Sequence, residues 1–179
     1  MLVVFEQFFQ HMAVSFRATQ YCIDHTELCN KLVVKIMSGV QGKMLLDSFM
    51  FEGPSCARQP ARLHELYEAG LEMKTIKPSD RGFACQHTKS WIIDSEVFLT
   101  GSVNCTHGGM ENNLEHLIVI RDKAIVNKAI ETFEEWWKNP RSKEVSNERI
   151  EKMIAWKRHK DEKSLMSRNS KGIQRSGST

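Results

Sequence analysis

The sequence of 179 residues lacks any long apolar run near its start. The longest one there is Leu2–Phe5, which Glu6 interrupts. A transmembrane helix needs about 20 predominantly apolar residues, and the core of a signal peptide needs about 7–15. We therefore expect a soluble, intracellular protein of the cytoplasm. The hydrophobic share of 41% excludes a fully disordered chain, which would be poor in apolar residues and strongly charged.

The sequence also lacks a cysteine pattern typical of metal sites or disulfide frameworks. The number of cysteines is odd, no two are separated by only two residues, and the closest spacing, Cys22 to Cys29, fits no common zinc pattern. The five are Cys22, Cys29, Cys56, Cys85 and Cys105. We expect free thiols in a reducing compartment and no bound metal, and a redox or metal role stays open as the alternative.

The net charge of +3 is the sum of two unlike regions. Residues 1–139 carry 14 basic and 17 acidic side chains, a net of −3, whereas residues 140–179 carry 11 basic and 5 acidic ones, a net of +6. We predict one folded domain over 1–139 and a basic extension over 140–179, helical over 149–160 and disordered over 164–179. The basic helix is compatible with packing on the body, with nucleic-acid binding or with an anionic membrane surface.

Helical and strand periodicities alternate along the chain, which favours an α/β fold with a mixed central sheet flanked by helices. Helices are predicted over 3–14, from Thr26 to Gly39, from Pro60 to Gly70 and from the capping residue Asp122 to Asn139. The predicted strands are 15–23, 43–47, 71–76, 85–93, 96–100 and 117–120. A tight hairpin at Asp94–Ser95 joins the fourth and fifth strands.

Polar residues that suit a phosphate are concentrated between His87 and Asn104. His87 and Lys89 are two apart on a predicted strand, so both side chains leave the same face and form an anion site. Ser102 and Asn104 follow the hairpin return and add neutral hydrogen-bond donors. Lys89 would neutralise a phosphodiester oxygen, and His87 would attack phosphorus or transfer a proton. Glu115, just downstream, could orient an imidazole by accepting its second N–H.

The spacing of these residues resembles the HKD motif of the phospholipase D superfamily. The matching residues are His87, Lys89, Asp94, Gly101, Ser102 and Asn104. Over about residues 3–138 the chain also resembles the small, metal-independent, single-motif endonucleases of that superfamily. The resemblance implies a phospholipase D-like fold, with the domain over 1–139 as the catalytic one. It also implies a further strand before the first helix. This chain starts almost inside that helix, so either the strand is missing, or the chain is a fragment or has an unusual start.

The resemblance further implies a two-fold homodimer, because no other histidine has a lysine two residues on. One His87 would form a covalent phosphohistidine, and the other would protonate the leaving oxygen and then activate water. The implied catalytic residues are His87, Lys89, Asp94 and Glu115, and the implied phosphate ligands are Lys89, Ser102 and Asn104. Asp94 is either catalytic or mainly structural at the hairpin corner. No cofactor or metal is implied, because the cationic side chains stabilise the phosphoryl charge.

Three functions follow as hypotheses. The first is an endonuclease that hydrolyses phosphodiester bonds in DNA or RNA. The second is a phospholipid phosphodiesterase or phosphatidyl-transferase, of the phospholipase D or cardiolipin-hydrolase type, which acts on membrane phospholipid. The third is a catalytically silent module that binds nucleic acid. For Trp136 and Trp137, packing in the core is favoured over stacking on bases.

Overall fold

The computed structural model describes the backbone of residues 1–176 and the side chains of residues 1–167. The helices are α1 (Leu2–His11), α2 (Thr26–Met37), α3 (Ser48–Glu52), α4 (Gln59–Glu68), α5 (Lys123–Lys138) and α6 (Asn147–Ser176). The strands are β1 (Ser15–Gln20), β2 (Gln41–Asp47), β3 (Glu72–Ile76), β4 (Ser90–Ile93), β5 (Val97–Gly101), β6 (Leu117–Ile120) and β7 (Ser142–Glu144). A π-helical turn spans Gly108–Asn112.

The seven strands form one sheet in the order β6-β5-β4-β1-β2-β3-β7. The three strands β1, β2 and β3 are parallel, and every other pairing is antiparallel. The mixed α/β class predicted from the sequence is therefore confirmed. The hairpin between β4 and β5 is also confirmed, because Asp94 and Ser95 have φ values of 52° and 57°, the left-handed conformation of a tight hairpin turn.

Two apolar clusters hold the helices on opposite faces of this sheet. On one face, α1, α2, α4 and the start of α6 cover a large core in which Phe5, Phe9 and Phe16 surround Trp91. On the other face, α5 alone packs through a smaller cluster that includes Phe133 and Trp137. The result is a three-layer arrangement in which both faces of the sheet are covered.

The folded body continues past the boundary predicted at residue 139. Strand β7 pairs with β3, and the side chains of Ile150 and Met153 are buried in the main core. The helix predicted over 149–160 is therefore anchored by its apolar stripe, and α6 is longer than expected because it continues to Ser176. Of the segment predicted to be disordered, residues 177–179 lie outside the described residues.

The strand predicted over 85–93 is shorter in the structure, where β4 begins at Ser90. The reason is that the preceding residues bond to side chains instead of a neighbouring strand; the Gln86 N–H donates to Asp47 Oδ2 at 2.8 Å. Helix α2 is capped by His25, whose Nδ1 accepts the Leu28 N–H, and not by Thr26. Among the residues described, none of the helices combines the length and apolarity needed to cross a lipid bilayer.

The expectation that all cysteines are free is wrong for Cys22 and Cys56, which form a disulfide. Their pairing depends on the folded chain, since the Gln59 side chain binds both Ile23 N and Met50 O and so joins the two segments. The remaining three cysteines are free. Burial raises the pKa of the Cys29 thiol to about 12 and raises the pKa of Cys105 well above its usual value. Both buried thiols are therefore unreactive.

Candidate active site

The site lies at one end of the sheet because of the register of three neighbouring strands. Ser90 at the start of β4 pairs with Thr100 near the end of β5, and Gly101 pairs with Leu117 at the start of β6. The residues before β4, after β5 and before β6 must therefore meet at the same end. These residues include His87 and Lys89, Ser102 and Asn104, and Glu115.

His87 and Lys89 both contact an aromatic ring, Tyr21, that the sequence did not point to. The Tyr21 ring contacts the His87 imidazole edge to face, with centroids 4.8 Å apart, and the Lys89 ammonium lies 5.2 Å from the Tyr21 centroid. His87 is exposed, whereas Lys89 is 6% exposed. The imidazole is therefore open to a substrate, whereas Lys89 is buried and lies close to the His87 backbone.

The Lys89 ammonium has an unusual environment for a cation. Its Nζ donates to the backbone oxygen of His87 at 2.6 Å, and no carboxylate within the described residues pairs with it. Burial lowers the pKa of Lys89, while negative charge at Cys85 and Glu115 acts in the opposite direction. A buried cation without a carboxylate partner among the described residues, beside an exposed imidazole, is suited to bind an anion.

The backbone that carries His87 is held by buried polar side chains. The Asp47 carboxylate, 1% exposed, accepts the Gln86 N–H through Oδ2 and caps α3 by accepting the Met50 N–H through Oδ1. On the other side of His87, the Thr88 hydroxyl donates to Thr19 Oγ1 at 3.0 Å. His87 is therefore fixed from both flanks although it lies outside the strand.

Ser102 and Glu115 are joined directly. The Ser102 hydroxyl donates to Glu115 Oε2, and Asn113 Nδ2 donates to Glu115 Oε1 at 3.3 Å. Gly101 permits this close approach, since a Cβ at that position would lie 2.2 Å from the His116 oxygen. Glu115 thus reaches the site, but within the described chain its hydrogen bonds go to Ser102 and Asn113 and not to His87. The predicted orienting contact to the imidazole does not occur within one chain.

Asn104 lies on the loop that follows β5, where Gly109 packs against its backbone. A Cβ at Gly109 would lie 2.3 Å from the Asn104 oxygen, so the loop can close only around glycine. The Asn104 Oδ1 is buried and has no hydrogen-bond partner among the described residues. This oxygen can accept a hydrogen bond only, so a phosphoryl oxygen at Asn104 would be bound by the Nδ2 amide hydrogens instead.

The structure does not bring Asp94 to this site. It lies at the far end of β4, where Oδ1 accepts the N–H groups of Val14 and Ser15 and Oδ2 accepts that of Ala13. The distance along β4 from Lys89 corresponds to about 3.3 Å per residue over five residues. These contacts favour the structural alternative for Asp94, in which the carboxylate holds the chain entering β1.

Three residues of the site were missed by sequence reasoning: Tyr21, Asp47 and Gln86. Only Asp47 carried a usable signal, since it ends a buried strand of a parallel pair, where functional polar groups collect. Nothing in the local sequence marks Tyr21, which reaches the site only through the pairing of β1 with β4.

One group of potential metal ligands occurs among the described residues, away from His87: His25, His107 and Glu111. Glu111 Oε1 lies 2.9 Å from His25 Nε2 and 3.2 Å from His107 Nδ1. Because His25 Nδ1 accepts the Leu28 N–H, its proton resides on Nε2 and is donated to Glu111. This tautomer has no lone pair left on Nε2 for a metal. The hydrogen bond from His25 is the main cause that lowers the pKa of Glu111.

Comparison with known families adds an assignment to this geometry. Residues 7–137 match the family model described as "Cardiolipin synthase, PLD-like domain". The chain belongs to this phospholipase D-like family. The superfamily suggested by the HKD spacing is therefore confirmed.

The relatives in sequence and in structure differ in how well their lengths match. Over 138 residues the chain is 23% identical to mitochondrial cardiolipin hydrolase from Mus musculus, which covers 64% of this chain and 61% of that protein. The chain thus spans less than two thirds of this relative's length.

Among solved structures, the chain resembles Nuc from Salmonella typhimurium, a phospholipase D family member. The TM-score is 0.70 at 22% identity, and the match covers 82% of this chain and 91% of Nuc. NucT from Helicobacter pylori gives a TM-score of 0.68 at 16% identity and covers 80% and 90% of the two chains. These likenesses support the phospholipase D-like fold predicted from the sequence.

Proposed function

We propose that this chain is a phosphodiesterase that cleaves nucleic acid through a phosphohistidine intermediate formed at His87. The observation that carries the proposal is the exposed His87 imidazole beside the buried, unpaired Lys89 ammonium. A phosphodiester brings the negative charge that Lys89 lacks and the electrophilic phosphorus that an imidazole attacks.

The proposed reaction has two displacements at phosphorus. In the first, a nitrogen of His87 forms a bond to phosphorus, the bond to the leaving oxygen breaks, and a second histidine gives that oxygen a proton. In the second, water loses a proton to the second histidine and attacks phosphorus, which releases His87. Lys89 and the Asn104 Nδ2 amide bind the phosphoryl oxygens in both steps, and Ser102 joins them when its hydroxyl turns from Glu115 to the phosphate. Because the described chain has a single histidine–lysine pair of this kind, the second histidine is His87 of another copy in a homodimer.

Two features favour nucleic acid as the substrate. The match covers 91% of Nuc, whose name points to a nuclease, but 61% of cardiolipin hydrolase, whose name points to a lipid substrate. The basic residues of α6 also add positive charge to a body that is otherwise net negative, as nucleic-acid binding requires. A membrane phospholipid is the alternative substrate, favoured by the name of the cardiolipin hydrolase relatives. A module that only binds nucleic acid is the third candidate.

A substrate panel tests the proposal. Labelled single- and double-stranded DNA, single-stranded RNA and cardiolipin vesicles are incubated with the full chain, each with and without EDTA. We expect cleavage of nucleic acid that EDTA does not reduce and that His87→Ala abolishes. The matched control is His64→Ala, which removes a half-buried histidine of α4 and should leave the rate unchanged. Cleavage of cardiolipin alone would favour the lipid alternative, and binding without cleavage would favour the third.

The shared site is tested by mixing subunits. Wild-type and His87→Ala chains are co-expressed in equal amounts, and the activity per chain is compared with that of wild type. If two His87 side chains act on one phosphate, only wild-type pairs are active, and about a quarter of the activity remains. About half would remain if each chain acts alone, and this result, or a monomeric mass by light scattering together with full activity, would contradict the homodimer.

A further inference from the structure

Tyr21 contacts both of the side chains to which the proposed reaction assigns the main steps. Its ring centroid lies 4.8 Å from that of the His87 imidazole, at an interplanar angle of 63°, and 5.2 Å from the Lys89 ammonium. The proposed reaction gives Tyr21 no step of its own. Any effect of this ring on catalysis must therefore act through His87 and Lys89.

The backbone that carries Tyr21 is held in the core on both sides of the residue. Before it, the fully buried Gln20 accepts the Cys105 N–H through Oε1 at 3.2 Å. After it, Cys22 is joined to Cys56 by the disulfide. A side chain whose flanks are fixed in this way can restrain partners whose own segment lies outside a strand.

The Lys89 ammonium needs a stabilising group that does not neutralise it. Burying a cation costs free energy unless compensating contacts form, and within the described residues the contacts of Lys89 Nζ are the His87 backbone oxygen and the Tyr21 ring. A carboxylate would stabilise the charge but would compete with a phosphate for it. An aromatic face attracts a cation through the quadrupole of the ring. The charge of Lys89 is therefore stabilised and still available to a substrate.

The His87 imidazole needs a restraint on its plane, because exposed side chains change rotamer rapidly. Among the residues that the structure describes, neither nitrogen of this ring has a hydrogen-bond partner, and Glu115 bonds to Ser102 instead. The edge-to-face packing against Tyr21 restrains the imidazole without using a nitrogen. Both nitrogens thus stay available for the transfer at phosphorus.

We infer that Tyr21 is a positioning residue of the phosphodiesterase site, whose ring holds the His87 imidazole and stabilises the charged form of Lys89. The inference rests on the proposed function and adds a residue to it. The ring carries this role and the hydroxyl does not. Burial, followed by the negative charge of Asp47 and Cys85, raises the pKa of Tyr21, so its hydroxyl stays neutral.

Variants at Tyr21 separate the ring from the hydroxyl. Tyr21→Leu keeps an apolar side chain without a ring, and it should lower kcat for bis(p-nitrophenyl) phosphate about a hundredfold, the loss that a misplacement of about 1 Å can cause. Tyr21→Phe keeps the ring and should recover most of that rate. The matched control is Tyr67→Leu, which changes the other tyrosine of the chain, on α4 against the main core. It should keep the wild-type rate per folded molecule, measured with a parallel urea titration.

A series of fluorinated rings tests the effect on the charge of Lys89. Phenylalanine carrying one, two or three ring fluorines in place of the tyrosine has nearly the same shape and a progressively less negative face. Besides His87, the titratable groups near the ring and the ammonium are Cys85, Glu115 and Asp47. The series is therefore made in a Cys85→Ser background, in which no thiol titrates beside Lys89. Because a weaker face favours the uncharged amine, the alkaline decline of kcat/KM should move to lower pH, by up to about one unit.

The outcomes separate this inference from the proposed function. A wild-type rate per folded molecule in Tyr21→Leu, whatever its stability, overturns the positioning role. An alkaline decline at the same pH throughout the fluorinated series overturns it as well. In both cases the wild-type chain still hydrolyses a phosphodiester, so the proposed function stands. If the wild-type chain hydrolyses neither bis(p-nitrophenyl) phosphate nor an oligonucleotide, the proposed function fails, and the inference fails with it.

Discussion

The two ends of β4 carry polar residues of the same motif but in opposite states. At the far end, both oxygens of Asp94 accept backbone N–H groups. At the near end, within the part of the chain that the structure describes, Lys89 has no carboxylate partner, and Gln86 Oε1 and Asn104 Oδ1 are buried without a hydrogen-bond donor. The difference teaches that a polar group whose hydrogen bonds are all made within the chain stabilises the fold, whereas one that lacks a partner is available to a substrate.

The largest effect should come from His87 at the near end. His87→Asn is expected to lower phosphodiesterase activity at least about a thousandfold, because the nucleophile is lost. Since His87 is exposed, the free energy of unfolding should change by less than about 0.5 kcal/mol. Urea denaturation and initial rates measure both quantities. Substantial residual activity would contradict the proposed catalytic role of His87 at the near end of β4.

Asp47→Ala should affect both activity and stability. The substitution frees the Gln86 N–H and removes the cap of α3, so the segment carrying His87 loses its anchor. We expect a decrease in kcat of about tenfold or more and a destabilisation of about 1–3 kcal/mol. Rates per folded molecule, corrected by a parallel urea titration, separate the two effects. A decrease in stability alone would show that Asp47 does not position His87.

Asp94→Ala should lower stability and leave activity unchanged, which is the opposite of the pattern expected for His87→Asn. Three backbone N–H groups lose their acceptor, and a non-glycine residue without a polar side chain must keep a positive φ. The expected cost is about 1–3 kcal/mol in the free energy of unfolding. The activity of the folded fraction should stay at the wild-type level. The exposed neighbour Glu96→Gln serves as the control, and lost activity in a fully folded Asp94→Ala would return Asp94 to the site.

The smallest effect is a shift in pH dependence caused by Glu115→Gln. Lys89 must be protonated to bind phosphate, so activity falls as the pH rises through its pKa. Burial lowers this pKa, and the alkaline decline should therefore begin below the pH of an ordinary lysine. The charge of Glu115 raises the pKa of Lys89, so its removal should move the decline to still lower pH. The profile of kcat/KM against pH measures the shift, and a decline moved to higher pH would contradict it.

The sequence predicted most of the sheet because periodicity reports local burial. Strand β6 was predicted with its observed bounds, and α5 with its cap at Asp122. The segment 85–89 was predicted as a strand because alternation cannot reveal that Asp47, 39 residues earlier, binds its backbone. The disulfide was missed for a similar reason. The two cysteines are 34 residues apart, and their segments come together in the folded chain, where the Gln59 side chain bonds to Ile23 N and Met50 O.

For the site, fixed spacing predicted the residues but not their contacts. The positions of His87, Lys89, Ser102 and Asn104 follow from one hairpin, so a local motif was enough to group them. The roles of Asp94 and Glu115 depend on where each carboxylate finds its donors. Asp94 finds three N–H groups of the chain entering β1, and Glu115 finds the Ser102 hydroxyl. The spacing of residues along the sequence does not indicate which donors each carboxylate reaches in the folded chain.

The double role of Asp47 has a consequence for motion. One carboxylate holds both the first turn of α3 and the segment leading to His87, so neither can open without loosening the other. Local unfolding of α3 would therefore release the nucleophile's support, and amide hydrogen exchange at Met50 and Gln86 should proceed from the same opening event. In this way the five-residue helix α3 would set how often the proposed nucleophile, His87, is held in place.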